Sequence, residues 1–212
     1  MKKITLLAFT LLSACAFAQK SFFGVDAGVN FANQRIVSKV ISNGVVELDG
    51  VGFQRNKVKP TFGIFYHRQL SETIGIRLNV QYMGLGYNNS GNSGMNVDIN
   101  YLTLPLTFHY ATTKYLSFNA GPYVSFTLDG TKINNQDITK TYHKNDFGFI
   151  LGGEHHLYKN FSIGVSYIIG LKNIWLADTT TSLPGVTISS KYTNRALQFT
   201  LTYKLKKNQQ TL

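Results

Sequence analysis

Apolar and small polar residues alternate with period two along most of this chain, in runs broken by stretches rich in Gly, Asn and Ser. The clearest run is residues 101–126. Leu102, Leu104, Leu106, Phe108 and Tyr110 are separated by Thr103, Pro105, Thr107 and His109. After a break at 111–114, Leu116, Phe118, Ala120, Pro122, Val124 and Phe126 alternate with Ser117, Asn119, Gly121, Tyr123 and Ser125. Two such arms about a tight turn predict a β-hairpin. Each arm is about ten residues, the length a tilted strand needs to cross a bilayer.

The same pattern predicts six more strands, at residues 23–31, 60–69, 74–87, 146–157, 161–171 and 194–205. The connections between the resulting eight strands alternate in length. Long polar ones cover 32–58, 88–96, 128–145 and 172–193, and short ones cover 70–73, 111–114 and 158–160. Within the first long connection, residues 36–41 and 45–48 flank Ser42-Asn43-Gly44, and Asn-Gly is a strong hairpin signal, so a small hairpin is expected beyond the main sheet. Leu183-Pro184-Gly185 marks a turn in the last one.

Short turns on one side and long loops on the other are the rhythm of an outer-membrane barrel. The expected fold is therefore all-β: an eight-stranded antiparallel up-and-down transmembrane β-barrel with both chain ends in the periplasm. A soluble lipocalin-like barrel has strands of similar length but points its apolar face inward. Here the other face is expected to be Gly, Ser, Thr and Asn, too small and polar for a dry core. Arg68, at the end of its strand, is placed to snorkel to the interface.

Composition narrows the class. The chain has 212 residues, 43% of them hydrophobic, enough for one domain. After the first twenty residues no apolar run is long enough for a helical span. Lys2 and Lys3, the apolar stretch 4–12 and Ala16-Phe17-Ala18 read as an export signal over residues 1–18, leaving a domain over 19–212. A rival cleavage at Leu12-Ser13-Ala14-Cys15 would lipidate Cys15, the single cysteine. The net charge is +11, or +9 without Lys2 and Lys3, which suits acidic partners such as lipid phosphates. No nucleic-acid motif is present, and no nucleic-acid partner is expected.

The interior of an eight-stranded barrel is just wide enough for side chains to fill, so a plugged lumen is expected. Strand direction puts Asp26, Arg77, Glu154, Lys204, His67 and His109 in its periplasmic half. Asp26 and Lys204, on neighbouring strands, are expected within reach of each other, and Arg77 and Glu154 to bridge the lumen. Buried charges must pair, so an internal ion-pair network of structural type is expected. Adjacent His155 and His156 point to opposite faces, and Glu154 with His156 gives too few ligands for a metal. Neither a cofactor nor a catalytic group is expected. Aromatic girdles are expected at both rims: Phe22, Phe23, Tyr66, Tyr110, Tyr115, Tyr158 and Phe161 below, and Tyr82, Tyr87, Phe126 and Trp175 above.

Six stretches in order, 24–31 (GVDAGVNF), 101–106 (YLTLPL), 120–126 (AGPYVSF), 146–153 (DFGFILGG), 164–170 (GVSYIIG) and 194–205, resemble the PorT-like outer-membrane β-barrel domain family of the Bacteroidota. The resemblance covers nearly the whole mature chain and implies an eight-stranded barrel in the outer membrane. It supplies no catalytic motif.

Outer-loop cations at Arg35, Lys39, Arg55, Lys57, Lys132, Lys140 and Lys144 are candidate contacts for lipopolysaccharide phosphates, with Lys172 and Lys191 nearby. The expected partners are outer-membrane lipid, lipopolysaccharide and other envelope or secretion proteins, and the expected state is a monomer. The leading function is a structural, adhesive or secretion-accessory barrel acting through its extracellular loops. A lipid A-modifying enzyme, a narrow channel and a soluble lipocalin-like binder are the alternatives.

Overall fold

The computed structural model describes residues 21–42, 45–89, 95–128, 132–133, 136–137, 142–176 and 186–205. The export signal, Cys15, the Asn43-Gly44 turn, Lys140, the Leu183-Pro184-Gly185 turn and the C-terminal tail lie outside them.

The strands are β1 (Ser21–Ser42), β2 (Val45–Phe53), β3 (Lys57–Gln69), β4 (Ile74–Asn89), β5 (Met95–Ala111), β6 (Leu116–Thr127), β7 (Lys132–Ile133), β8 (Gln136–Asp137), β9 (Asn145–His156), β10 (Phe161–Gly170) and β11 (Val186–Leu205). Eight of them, β1, β3, β4, β5, β6, β9, β10 and β11, pair antiparallel in that order, and β11 returns to β1. The sheet therefore closes on itself, and every barrel strand finds both neighbours without leaving an edge in lipid. β2 pairs with β1 off this ring, and the two-residue β7 and β8 form a small ladder beside β5.

Burial is inverted relative to a soluble protein. Outward residues such as Phe23, Ile64, Phe108, Phe149 and Leu201 are exposed, whereas Asp26, Asn30, Gln81, Thr103, Glu154 and Gln198 are buried. Apolar side chains gain nothing by turning inward when lipid surrounds the outer face, so period-two alternation is satisfied with its apolar set outside. This is the opposite of the lipocalin-like arrangement.

Two expectations are corrected. The polar connections beyond the membrane are in part strand. β1 runs unbroken to Ser42 and stays paired with β11 up to Ser42↔Val186. Val45–Phe53 folds back along the same stretch of β1, and β4 and β5 pair up to Asn89↔Met95. Above the membrane the outward face meets water, so Ser, Lys and Thr continue a ladder that apolar alternation does not mark. The barrel thus carries a sheet collar on its outer side.

The interior is also not uniformly small and polar. Met83, Leu85, Tyr87, Val97, Ile99, Tyr101, Tyr123, Ile150 and Ile168 form an apolar cluster in the outer half, with Trp175 and Tyr192 packed against it. Tyr87 belongs to this plug and not to the outer girdle, and Trp175 packs edge-on to Tyr142 at 5.0 Å. Phe22 turns inward too, stacking on His67 at 4.7 Å. Phe23, Tyr66, Tyr110, Tyr115, Tyr158 and Phe161 face outward at the lower rim, and Phe126 is exposed at the upper one.

Candidate functional site

The lumen has two layers, set by which inward residues each strand supplies at a given height. In the periplasmic layer, β4 brings Arg77 and β9 brings Glu154 from opposite walls. Arg77 Nη2 lies 2.9 Å from Glu154 Oε2, and both side chains are buried. Arg77 also sits over the ring of Phe65, 4.3 Å from its centroid. Asn79 Nδ2 donates to Asp26 Oδ2 at 2.9 Å. His67 Nε2 is 3.2 Å from Gln69 Oε1, His109 Nε2 is 3.1 Å from Thr107 Oγ1, and the two imidazoles meet edge to face at 5.3 Å.

Lys204 corrects one expected pairing. In register it stands opposite Gly24, two residues below Asp26. Its ammonium reaches His156 Nδ1 at 3.2 Å and lies over Phe22. The reason is direction: Lys204 is at the open end of β11, and its long side chain turns toward the mouth. His156, which the sequence does not mark as part of the ion-pair network, is a hub. Its Nδ1 lies 2.7 Å from Ser162 Oγ and 3.7 Å from Glu154 Oε1. Serine and glutamate address the same ring nitrogen, whereas a catalytic triad sets its nucleophile and its acid on opposite nitrogens of the imidazole. Ser162 is fully buried, whereas His155 faces outward beside Tyr115. Among the described residues no cluster of three His, Cys, Asp or Glu is arranged to hold a metal.

A cavity of about 50 Å³ touches Asp26, Arg77, Thr107 and Glu154, and one of about 80 Å³ lies below it between His67, Arg77, His109, His156 and Lys204. Each has room for a few waters. In the outer layer, Asp146 accepts from Tyr123 Oη at 3.1 Å and Asn194 Nδ2 at 2.9 Å. Asn194 also donates to Tyr101 Oη at 3.3 Å. This hydrogen-bonded centre sits within the apolar plug. Parity with His67 along β3 marks Phe65 as inward, and parity with Glu154 along β9 marks Asp146 and His156, so that signal is present in the sequence.

The outer cations are not gathered into one patch. Lys39 Nζ is 3.8 Å from Asp49. Lys57 and Lys59 both hold Asp98, at 2.7 and 2.5 Å, so Lys57 is occupied within the chain. Arg55 is exposed on the first long connection, and Lys132 and Lys144 are exposed on the one over 128–145. Arg35 is half-buried on the outward face of β1, near Arg195 of β11, a residue the sequence reading did not single out.

Solved structures similar to this chain are outer-membrane proteins. The Neisserial surface protein A matches at 10% identity, over 89% of this chain and 99% of its own, with a TM-score of 0.47. The attachment invasion locus protein Ail of Yersinia pestis, solved with the heparin analogue sucrose octasulfate, matches at 14% identity over 86% of this chain and 99% of its own, with a TM-score of 0.37. OprG of Pseudomonas aeruginosa matches at 12% identity over 87% of this chain and 97% of its own, with a TM-score of 0.42. No protein of curated function matches the chain. The family model described as the outer membrane protein beta-barrel domain matches residues 4–204.

Proposed function

The chain belongs to the outer membrane protein beta-barrel domain family, and we propose that it is a non-catalytic, non-conducting barrel that acts through its outer collar as a structural, adhesive or secretion-accessory protein. Its place is the outer membrane. The observation that carries the reading is the filled lumen: the Arg77–Glu154 bridge crosses the lower half, and the tyrosine-rich apolar cluster fills the upper half. What remains to meet partners is the sheet of β1, β2 and β11 above the membrane. The six ordered stretches noted above support a place among the PorT-like barrels of the Bacteroidota, exported by the signal over residues 1–18 and working as a monomer.

Recording from the full mature chain in planar bilayers tests this. No steady conductance is expected, together with an outer-membrane fraction and a gel mobility that shifts on boiling. A stable open level would overturn the non-conducting reading in favour of a channel. A change in the lipid A mass spectrum on removing the gene would overturn the non-catalytic one.

A further inference from the structure

The outward face changes character abruptly where β1 and β11 leave the apolar band. On β1, Phe23, Val25, Ala27, Val29 and Phe31 face out, followed by Asn33 and Arg35; on β11, Leu205, Tyr203, Leu201, Phe199 and Leu197 face out, followed by Arg195. From Phe23 to Phe31 the band is about 20 Å high, taking ~3.4 Å per residue and a tilt of roughly 40°. The usual apolar band is about 25 Å. Asn33, Arg35 and Arg195 therefore stand at the level of the outer headgroups.

A groove of about 470 Å³ opens at this boundary. Phe31, Tyr167, Leu197 and Phe199 line its apolar lower part, and Asn33, Asn56 and Arg195 its polar upper part, with no acidic residue among them. Asn33 pairs with Arg195 in register, and Arg35 is the next outward residue above. The two guanidinium groups are close enough for their charges to repel. None of the salt bridges among the described residues includes either. Arg195 Nη1 is pinned on the carbonyls of Gly170 and Asn194, which fixes the guanidinium in place with donors to spare. Asp146, whose charge reaches Arg195, lies on the lumen side and is taken up by Tyr123 and Asn194.

We propose that this groove is a binding site for one phosphate-bearing lipid of the outer leaflet, its acyl chain along Phe31, Tyr167, Leu197 and Phe199 and its phosphate between Arg35 and Arg195. Two like charges held at a membrane boundary need a counter-ion, and a lipid phosphate is the anion present at that height. Arginine forks match phosphate oxygens bidentately, which a loop lysine cannot do. Aromatic and aliphatic side chains below give an acyl chain a defined path. This site sharpens the lipopolysaccharide contacts expected of the outer cations. It rests on the outer-membrane placement and not on the non-conducting lumen, so conductance and lipid binding fail independently.

The test is lipid retention by the full mature chain, released from vesicles of phosphatidylcholine containing either bis-phosphorylated lipid A or the same lipid freed of phosphate, and read by native mass spectrometry. The wild-type barrel is expected to keep one phosphorylated lipid and to lose it at high salt. Arg35→Gln and Arg195→Gln are each expected to lower retention roughly tenfold, the loss of a charge-assisted contact. Arg195→Lys should recover part of it, and Lys114→Gln, in the exposed short turn on the opposite side of the membrane, should leave it unchanged. Equal retention of the two lipids would mean ordinary surrounding lipid and would overturn the site. So would full retention by the double glutamine variant. Release of the lipid by millimolar inorganic phosphate alone would overturn the acyl-chain half. Should a variant fail to shift on boiling, the wild-type comparison of the two lipids still decides.

Discussion

Gly24 faces the lumen at the point where the ring of Phe65 crosses it. A Cβ there would run into that ring and come 2.7 Å from the carbonyl oxygen of Tyr203. Gly24→Ala is therefore expected to destabilise the barrel by about 1–3 kcal/mol, the usual cost of overpacking. Urea unfolding of the protein in vesicles measures it, and a loss under half that range would show that the ring simply moves aside. The Arg77–Glu154 pair follows a different rule. Removing one partner strands a buried charge at a cost of about 3–5 kcal/mol, while replacing both by apolar residues of similar size is close to neutral. Arg77→Met and Glu154→Met are expected to fall in that range singly, and the double variant to recover most of the loss in the same unfolding assay. If the double loses as much as the two singles together, the pair is not coupled. The direction of both side chains follows from parity along their strands. The reach of Lys204 does not, because a side chain of four methylenes at the open end of a strand chooses among several neighbours. His156 took the place expected for Asp26.

Single strands run past the hydrophobic pattern that marks them. Apolar alternation marks only the part of a strand that touches lipid, so the pattern ends β1 at Phe31 although the strand pairs on to Ser42. Likewise the pattern starts β11 at Asn194 although the strand pairs from Val186. The Asn-Gly signal did give the return of β2 along β1. Above the membrane, strand ends are tied by polar contacts. Asp98 at the outer end of β5 is shared by Lys57 and Lys59 of β3. Burial by itself would raise its pKa, but the two ammonium groups outweigh that and hold it below the ordinary carboxylate value of 3.8. A carboxyl with a lowered folded pKa adds stability that is present above the unfolded value and is lost as pH falls through the folded one. The tie is therefore expected to hold at neutral pH and to loosen below about pH 4. The protection factors of the amides near residues 95–99, corrected for the intrinsic slowing of exchange in acid, should fall there, and Asp98→Asn should show the lowered protection at neutral pH as well. An acid response that survives Asp98→Asn would assign it to another group.

For the whole molecule, closure decides more than any one strand. The return of β11 to β1 creates an inside, and every inward side chain then meets others from across the lumen that are distant in sequence, as Arg77 and Glu154 do. It also stacks two barriers in series, the ion pair below and the tyrosine cluster above. In the bilayer recording, Arg77→Met with Glu154→Met is therefore expected to stay silent, since the upper plug is untouched. Steady current from that variant would place the whole seal in the ion pair.

By itself, the sequence determined the all-β class, the eight lipid-crossing strands, their up-and-down order and which face of each meets lipid. These depend on period-two alternation and on the rhythm of short and long connections, which are local properties. The tertiary structure decided the collar, the apolar plug and the pairing of Lys204 with His156, and it brought Arg35 beside Arg195. Each of these depends on register between strands and on distances across a closed ring, and a linear pattern carries neither. Above the membrane the solvent on the outer face changes from lipid to water, and there the local signal that served for the barrel wall no longer distinguishes strand from loop.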